Sequence, residues 1–221
     1  MKAKAPKKAE ATRSKIMEIA MKLFLDQGFE KTTMREIASA AGLAPGAAYY
    51  HFESKEHMVF DFYEMSYQKH LAEAERVLAD EKDLAKRIAG VIKAHLKVSE
   101  PYYEISKVLF RIAADPKHPL SPFSKESKDL RDRNIEILRR CLEGQKLDKD
   151  LAARLPELLW MFKMGMILYW LHDQSAKRAK TYQFVDQASA MVASLIQLSK
   201  LPVLGSFSKK AVAVFDEYKI F

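Results

Sequence analysis

The sequence predicts an all-α protein. No stretch shows the period-two alternation of apolar and polar residues that marks a half-buried strand, and only seven glycines occur in 221 residues. Apolar residues instead recur at positions i, i+3, i+4 and i+7, the spacing of one helix face. A chain of this length can bury one good core and a smaller second core.

We predict a first helix over residues 11–27, ending at Gly28. Its apolar stripe has clean helical spacing and consists of Ile16, Ile19, Ala20, Leu23 and Phe24. Residues 1–10 are rich in lysine and alanine. We expect them to form a flexible basic arm.

The most informative stretch is TTMREIASAAGLAPGAAYYHFESKEHM, residues 32–58. Thr33 and Glu36 have the spacing of a capping box, in which each side chain accepts a backbone N–H from the other residue. Gly42 suits a tight turn with positive φ, and Pro45 suits the first turn of a following helix. Two helices joined by a short glycine turn, the second rich in aromatic and polar tips, form the docking unit of a DNA-reading protein.

Six further helices are predicted after this unit, and the hydroxyl of Ser54 can cap the first of them. Their predicted ranges are 54–79, 83–99, 102–114, 123–143, 148–172 and 181–200. Three prolines make residues 115–122 a loop. The helix over 148–172 is apolar nearly all round, which predicts burial on more than one side and hence a partner. The tail, 202–221, can add a short amphipathic helix.

The run T-T-x-R-E-I-A-x-x-A-G-L-A-P-G-A-x-Y-Y-H-F-x-S-K-E, with the helix before it, resembles the N-terminal domain of TetR-family transcriptional regulators. The resemblance spans residues 12–63. It implies a helix-turn-helix DNA-binding domain over residues 11–55 and a ligand-binding and dimerisation domain over residues 56–221. It also implies a homodimer in which the helices over 148–172 and 181–200 pair with their mates in a four-helix bundle.

The resemblance also implies which residues bind a double-stranded DNA operator. Thr33 lies at a helix N-terminus, where a free amide and the helix dipole favour a phosphate, and Lys55 matches a family lysine that contacts phosphate. The expected DNA-binding residues are Thr33, Pro45, Gly46, Ala47, Tyr49, Tyr50, His51 and Lys55. For Thr33 and Tyr49, the alternatives are a plain helix cap and an aromatic side chain packed under the turn.

The base-reading positions, residues 44–47, carry Ala, Pro, Gly and Ala. Many relatives carry Ser or Thr, and often Lys, at positions 44, 45 and 47. None of the residues that this chain carries there can make a side-chain hydrogen bond to a base edge. We therefore expect DNA shape and apolar contacts with thymine methyl groups to matter more than bidentate hydrogen bonds.

The charge distribution agrees with a nucleic-acid partner. The formal net charge is +8, and residues 1–55 hold ten Lys and Arg against six Asp and Glu, a difference of +4. Half of the net charge thus lies in a quarter of the chain, which suits a phosphate backbone. The alternative is a solvated basic surface with a lysine-rich tail.

In this family the larger domain usually binds a small molecule that releases the protein from DNA. Aromatic and methionine side chains predict a mainly apolar pocket for a lipid-like or aromatic effector, with Arg111 or Lys163 meeting an anionic group. The candidate ligand-binding residues are Phe62, Tyr102, Tyr103, Phe110, Arg111, Trp160, Lys163 and Met166. The alternative for each is a place in the core or the dimer seam.

Several classes of protein are disfavoured. The six histidines are too scattered for a metal motif, Cys141 has no evident catalytic partner, and no phosphate loop or GxSxG motif occurs. We therefore expect no enzyme, no cofactor and no metal. The longest apolar run, 158–171, is too short to span a membrane, and the N-terminus is no signal peptide, which predicts a cytoplasmic protein. The alternative function is a ligand-independent DNA-organising or partner-recruiting protein on the same scaffold.

Overall fold

The protein is described by a computed structural model that covers residues 4–200, 210, 213, 214 and 217. Its regular elements within these residues are all helical, as predicted. The helices are α1 (Lys4–Gln27), α2 (Met34–Ala40), α3 (Pro45–His51), α4 (Lys55–Asp80), α5 (Leu84–Ser99), α6 (Tyr103–Ala113), α7 (Lys128–Cys141), α8 (Lys149–His172) and α9 (Ala179–Leu198). Short 3-10 helices lie at Glu100–Tyr102 and Ala176–Arg178. The predicted tail helix lies mostly outside the described residues.

Two expected helix boundaries were wrong. Helix α1 begins at Lys4, so residues 4–10 are helical and not the flexible arm we expected. Alanine, lysine and glutamate favour helix, and Pro6 falls in the first turn, where no N–H is needed. Helix α7 begins at Lys128 and not near residue 123.

Serine side chains explain the late start of α7. The hydroxyls of Ser124 and Ser127 donate hydrogen bonds to the carbonyl of Pro119, at 2.6 and 3.3 Å. The backbone N–H of Ser127 donates to Ser124 Oγ at 3.1 Å. Serine side chains that bond to nearby backbone groups favour turns over helix. This local network therefore extends the predicted loop by several residues.

The chain forms two compact units. Unit 1 consists of the described residues of Met1–Ser66 and Tyr102–Ser127, and unit 2 of those of Tyr67–Pro101 and Lys128–Phe221. Helix α4 is continuous and contributes residues to both. This division differs from the domain boundary placed at residue 55, because α6 and the loop after it group with the N-terminal helices.

One hydrophobic core holds unit 1 together. Phe24 of α1 and Ile37 of α2 have no exposed surface, and the same cluster includes Met58 of α4 with Ile105 and Leu109 of α6. The three N-terminal helices therefore rest on a shared apolar base, which fixes their relative positions.

Unit 2 is a helical bundle built from the rest of α4 with α5, α7, α8 and α9. Ile88 and Ile92 of α5 and Val185 of α9 are fully buried in it. Gly90 allows α4 and α5 to approach closely, because a Cβ at this position would lie 2.5 Å from Cγ1 of Val77. Within the described residues, no helix has both the length and the apolar character needed to cross a bilayer.

Candidate DNA-binding surface

The start of α2 carries the predicted capping box. The backbone N–H of Thr33 donates to Glu36 Oε2 at 2.7 Å, and the N–H of Glu36 donates to Thr33 Oγ1 at 3.2 Å. The backbone hydrogen bond from Thr33 is the main cause that lowers the pKa of the Glu36 carboxyl, and the Thr33 hydroxyl adds to it. The two reciprocal bonds define where α2 begins.

The turn between α2 and α3 is built as the sequence predicts. Gly42 has φ +71°, a left-handed conformation that glycine adopts without steric cost. The N–H of Leu43 donates back to the carbonyl of Ala38 at 2.9 Å, and Lys15 Nζ donates to the carbonyl of Ala41 at 3.0 Å. Two otherwise unpaired carbonyls at the end of α2 are thereby satisfied, and Pro45 begins α3.

Helix α3 has a buried side and an exposed side. Ala48 is fully buried, and Phe52, at its C-cap, is buried in the same cluster. Gly46 is exposed, Tyr49 is 54% exposed and Tyr50 is 85% exposed, while Ala47 and His51 are half-buried. An exposed tyrosine pair beside small residues leaves the helix surface accessible to a DNA groove.

Arg13 of α1 fixes the C-terminal end of α3. Its Nη1 donates to the carbonyl of His51, and its Nε donates to Asp61 Oδ2 at 2.7 Å. The guanidinium also lies over the ring of Phe52, 4.2 Å from the centroid. Sequence reasoning missed this residue, because its partners lie 38 and 48 positions away and no local pattern links them.

Lys55, expected to bind phosphate, is already engaged within unit 1. Its Nζ donates to the carbonyl of Phe29 at 2.6 Å and lies 4.4 Å from the centroid of the Phe29 ring. An ammonium group has three donors. One of them is used by the Phe29 carbonyl, so a phosphate contact by Lys55 has to use the remaining N–H groups.

Thr33 is similarly occupied, because its N–H and its hydroxyl both donate to Glu36 Oε2, at 2.7 and 2.9 Å. A phosphate at this position competes with that carboxylate. Arg35 is exposed in the first turn of α2, and its guanidinium offers several donors to a phosphate. Sequence reasoning overlooked Arg35 as a phosphate-binding candidate, although its place two residues after the cap was a usable signal.

The candidate ligand-binding residues are divided between the units. Unit 1 holds Phe62, Tyr102, Tyr103, Phe110 and Arg111. Phe62 and Tyr102 pack edge-to-face with ring centroids 5.1 Å apart, whereas Arg111 is exposed. Unit 2 holds Trp160, Lys163 and Met166, which are all buried. In the part of the chain that the structure describes, no group of three His, Cys, Asp or Glu side chains is placed to hold a metal ion.

Comparison with known proteins links both parts of the chain to one group of regulators. The family model described as "Bacterial regulatory proteins, tetR family" matches residues 16–61. The model described as "Tetracyclin repressor-like, C-terminal domain" matches residues 87–211, more than half of the chain. The transcriptional regulator AcrR of Shigella flexneri is 25% identical over 181 residues, covering 77% of this chain and 83% of AcrR.

Solved structures show the same fold. A TetR-family regulator from Syntrophomonas wolfei aligns with a TM-score of 0.67 at 17% identity, covering 84% of this chain and 96% of that chain. The FadR repressor of Thermus thermophilus, solved in complex with lauroyl-CoA, aligns with a TM-score of 0.54 at 20% identity, covering 86% and 95%.

Proposed function

The chain belongs to the TetR family of bacterial transcriptional regulators, and we propose that it is a homodimeric repressor that leaves a pseudo-palindromic operator when a small, mainly apolar effector binds. The observation that carries this proposal is the geometry of α3. Its buried side is anchored by Ala48 and Phe52, and its other side exposes Gly46, Tyr49 and Tyr50. Two such helices in a dimer would enter successive major grooves about one helical turn apart.

The proposed DNA contacts divide into two kinds. Tyr49, Tyr50 and His51 donate to backbone phosphates, and Thr33, Arg35 and Lys55 add further phosphate contacts. Pro45, Gly46 and Ala47 offer no hydrogen-bonding side chain to base edges. Sequence preference then comes from thymine methyl groups and DNA shape.

The homodimer is supported by apolar side chains that are exposed on α8 and α9. These residues are Met161, Leu168, Tyr169, Phe184, Met191, Leu195 and Leu198. Monomeric proteins rarely expose so many large apolar side chains on two adjacent helices. Obligate interfaces that cover such faces bury on the order of 2,000 Å² or more.

Release from DNA requires an effector that binds the non-DNA arrangement more tightly than the DNA-bound one. Because α4 is one continuous helix with residues in both units, we propose that it transmits the change. The lauroyl-CoA complex of FadR supports an effector with an acyl chain. Unit 2, with its many buried apolar side chains, is where we place the apolar part of that effector.

Fluorescence-anisotropy titration with the DNA that flanks the protein's own gene tests this proposal. A scrambled duplex of the same composition is the control, and both are measured across a salt series. We expect tight, saturable binding to the flanking DNA with a steep salt dependence. Equal, weak binding to both duplexes would contradict a specific operator at this locus and favour the ligand-independent DNA-organising function.

A second titration tests how the operator is read. Replacing thymine by uracil removes only the C5 methyl group. If apolar contacts by residues 45–47 carry specificity, uracil at the contacted positions weakens binding by about 1 kcal/mol each, whereas uracil outside the half-sites has no effect.

A further inference from the structure

Four polar side chains lie close together in the core of unit 2. They come from four helices: His70 from α4, His95 from α5, Asn134 from α7 and Lys163 from α8. Lys163 is 2% exposed and His70 is 1% exposed. Buried polar groups in a helical core are normally matched to one another, and this set is only partly matched.

Lys163 has a hydrogen-bond partner in this polar cluster but no counter-charge. Its Nζ donates to Asn134 Oδ1 at 2.7 Å. Among the residues that the structure describes, no carboxylate forms an ion pair with it. Burying an ammonium group without a counter-charge is unfavourable by several kcal/mol. Burial accordingly lowers the pKa of Lys163 to about 7.

The two histidines supply no compensating negative charge. His70 Nε2 lies 3.1 Å from the carbonyl oxygen of Val91. A carbonyl only accepts, so Nε2 carries the proton and Nδ1 presents a lone pair. Nδ1 is buried without a hydrogen-bond partner. The His95 ring stands edge-on to His70, with centroids 5.0 Å apart.

Both imidazoles are neutral near pH 7. Burial is the main cause that lowers the pKa of His70 to about 3 and the pKa of His95 well below its ordinary value, and the charge of Lys163 adds to it. The thiol of Cys141, on α7, is also neutral, because burial raises its pKa to about 12. Among these four groups, Lys163 is therefore the one whose charge changes near pH 7.

The surroundings of Lys163 on α8 are apolar. Trp160 and Met166 lie three residues before and after it and therefore share its helix face. They are 3% and 6% exposed. A single cation at the centre of an apolar helix face matches an amphiphile with one negative charge. A phosphate, with nearly two negative charges, is a poorer match for one lysine beside a histidine lone pair.

We infer that Lys163, positioned by Asn134, is the head-group site of the effector and binds the carboxylate of an amphiphilic acid whose apolar part lies beside Trp160 and Met166. This inference rests on the proposed function, since it names the chemistry of the effector. The carboxylate supplies the counter-charge that the polar cluster lacks.

Proton linkage gives this site a distinctive signature. A bound carboxylate stabilises the ammonium form, so binding takes up a proton at any pH above the pKa of the free Lys163, about 7. Affinity for a carboxylate should then fall by roughly tenfold for each pH unit above that value. An uncharged ligand with the same chain has no such dependence.

Isothermal titration calorimetry on the full-length protein provides the test. The probes are octanoate, decanoate, dodecanoate and tetradecanoate, each compared with the n-alcohol of the same length. At about pH 6 we expect at least one acid to bind about tenfold more tightly than its alcohol, with this preference lost near pH 9. The Lys163→Met variant should bind acid and alcohol alike at both pH values. Lys149→Met, which removes an exposed charge from the same helix, should behave as the unsubstituted protein does.

Two results would overturn the inference: binding of no acid at about millimolar concentration, or an undiminished acid preference in Lys163→Met. Thermal melts establish that both variants are folded. Operator binding without ligand, measured by anisotropy, separates this inference from the proposed function. If the ligand-free protein binds operator but Lys163→Met keeps its acid preference, only the head-group assignment fails. If the ligand-free protein binds no operator, the proposed function itself fails.

Discussion

Arg13 donates a hydrogen bond from Nη1 to the backbone carbonyl of His51, and so ties α1 to the last turn of α3. The same guanidinium pairs with Asp61 of α4. Helix α3 is only seven residues long, and so short a helix is not stable alone. The position of the exposed Tyr49 and Tyr50 therefore depends on groups that lie outside the helix-turn-helix.

Replacing Arg13 by methionine should loosen α3 and weaken operator binding by about tenfold, because a hydrogen bond to a charged group contributes about 1.5–3 kcal/mol. Arg13 and Asp61 are about 40% exposed in their side chains (41% and 38%), so the ion pair itself adds little. Anisotropy measures the loss. Lys22→Met removes an exposed charge from the same helix, and an equal loss in that variant would show that charge alone matters.

The capping box predicts a stability loss and a pH effect. Thr33→Ala should lower the free energy of unfolding by about 1 kcal/mol. The pKa of Glu36 is lowered in the folded state, so its contribution is present above the unfolded pKa and is lost as pH falls through the folded pKa. Thr33→Ala keeps the backbone N–H and removes only the hydroxyl donor, so denaturant unfolding should show a stability difference that becomes modestly smaller below about pH 4. A difference that stays constant down to the most acid condition would contradict this origin.

The apolar face of α8 and α9 predicts a mutation that separates the subunits. Leu195 is 64% exposed in one chain. A glutamate there would bury an unpaired charge in the proposed dimer interface, so Leu195→Glu should shift the protein to monomer in sedimentation experiments. Binding to a full operator should weaken with it. Gln174→Glu, an exposed polar position, serves as the control, and a dimeric Leu195→Glu protein would place the interface elsewhere.

Lys163 should also make the free energy of unfolding depend on pH when no ligand is bound. Between about pH 7, its folded pKa, and 10.5, its ordinary value, the unfolded state binds the proton and the folded state does not. Stability therefore rises with pH in this window, by at most about 1.4 kcal/mol per unit. The thiol of Cys141 opposes this trend above pH 9, because its folded pKa is raised from 9.0.

Denaturant unfolding of the protein and of Lys163→Met between about pH 6 and 9 measures this slope. The variant should be more stable than the unsubstituted protein near pH 6 and should lose the rise above pH 7. Parallel pH profiles for the two proteins would mean that burial does not lower the pKa of Lys163, which would then stay charged in the folded protein.

Local patterns were sufficient for most of the helices. The capping box at Thr33 and Glu36, the positive φ of Gly42 and the start of α3 at Pro45 each follow from a few neighbouring residues, and the structure has all three. The start of α7 was misjudged because serine side chains compete with the helix for the backbone. The start of α1 was misjudged because composition was read as disorder where it also favours helix.

The sequence by itself determined the all-helical class and the helix-turn-helix, since both rest on short-range spacing. Only the tertiary structure decided what holds α3 in place, because Arg13 meets His51 and Asp61 through a fold and not through a pattern. From the sequence, Lys163 was one of two candidates to meet an anionic group, and only the fold shows that its side chain is buried. Lys163 becomes buried beside Asn134 only when four helices pack, and this burial lowers the pKa of its ammonium group.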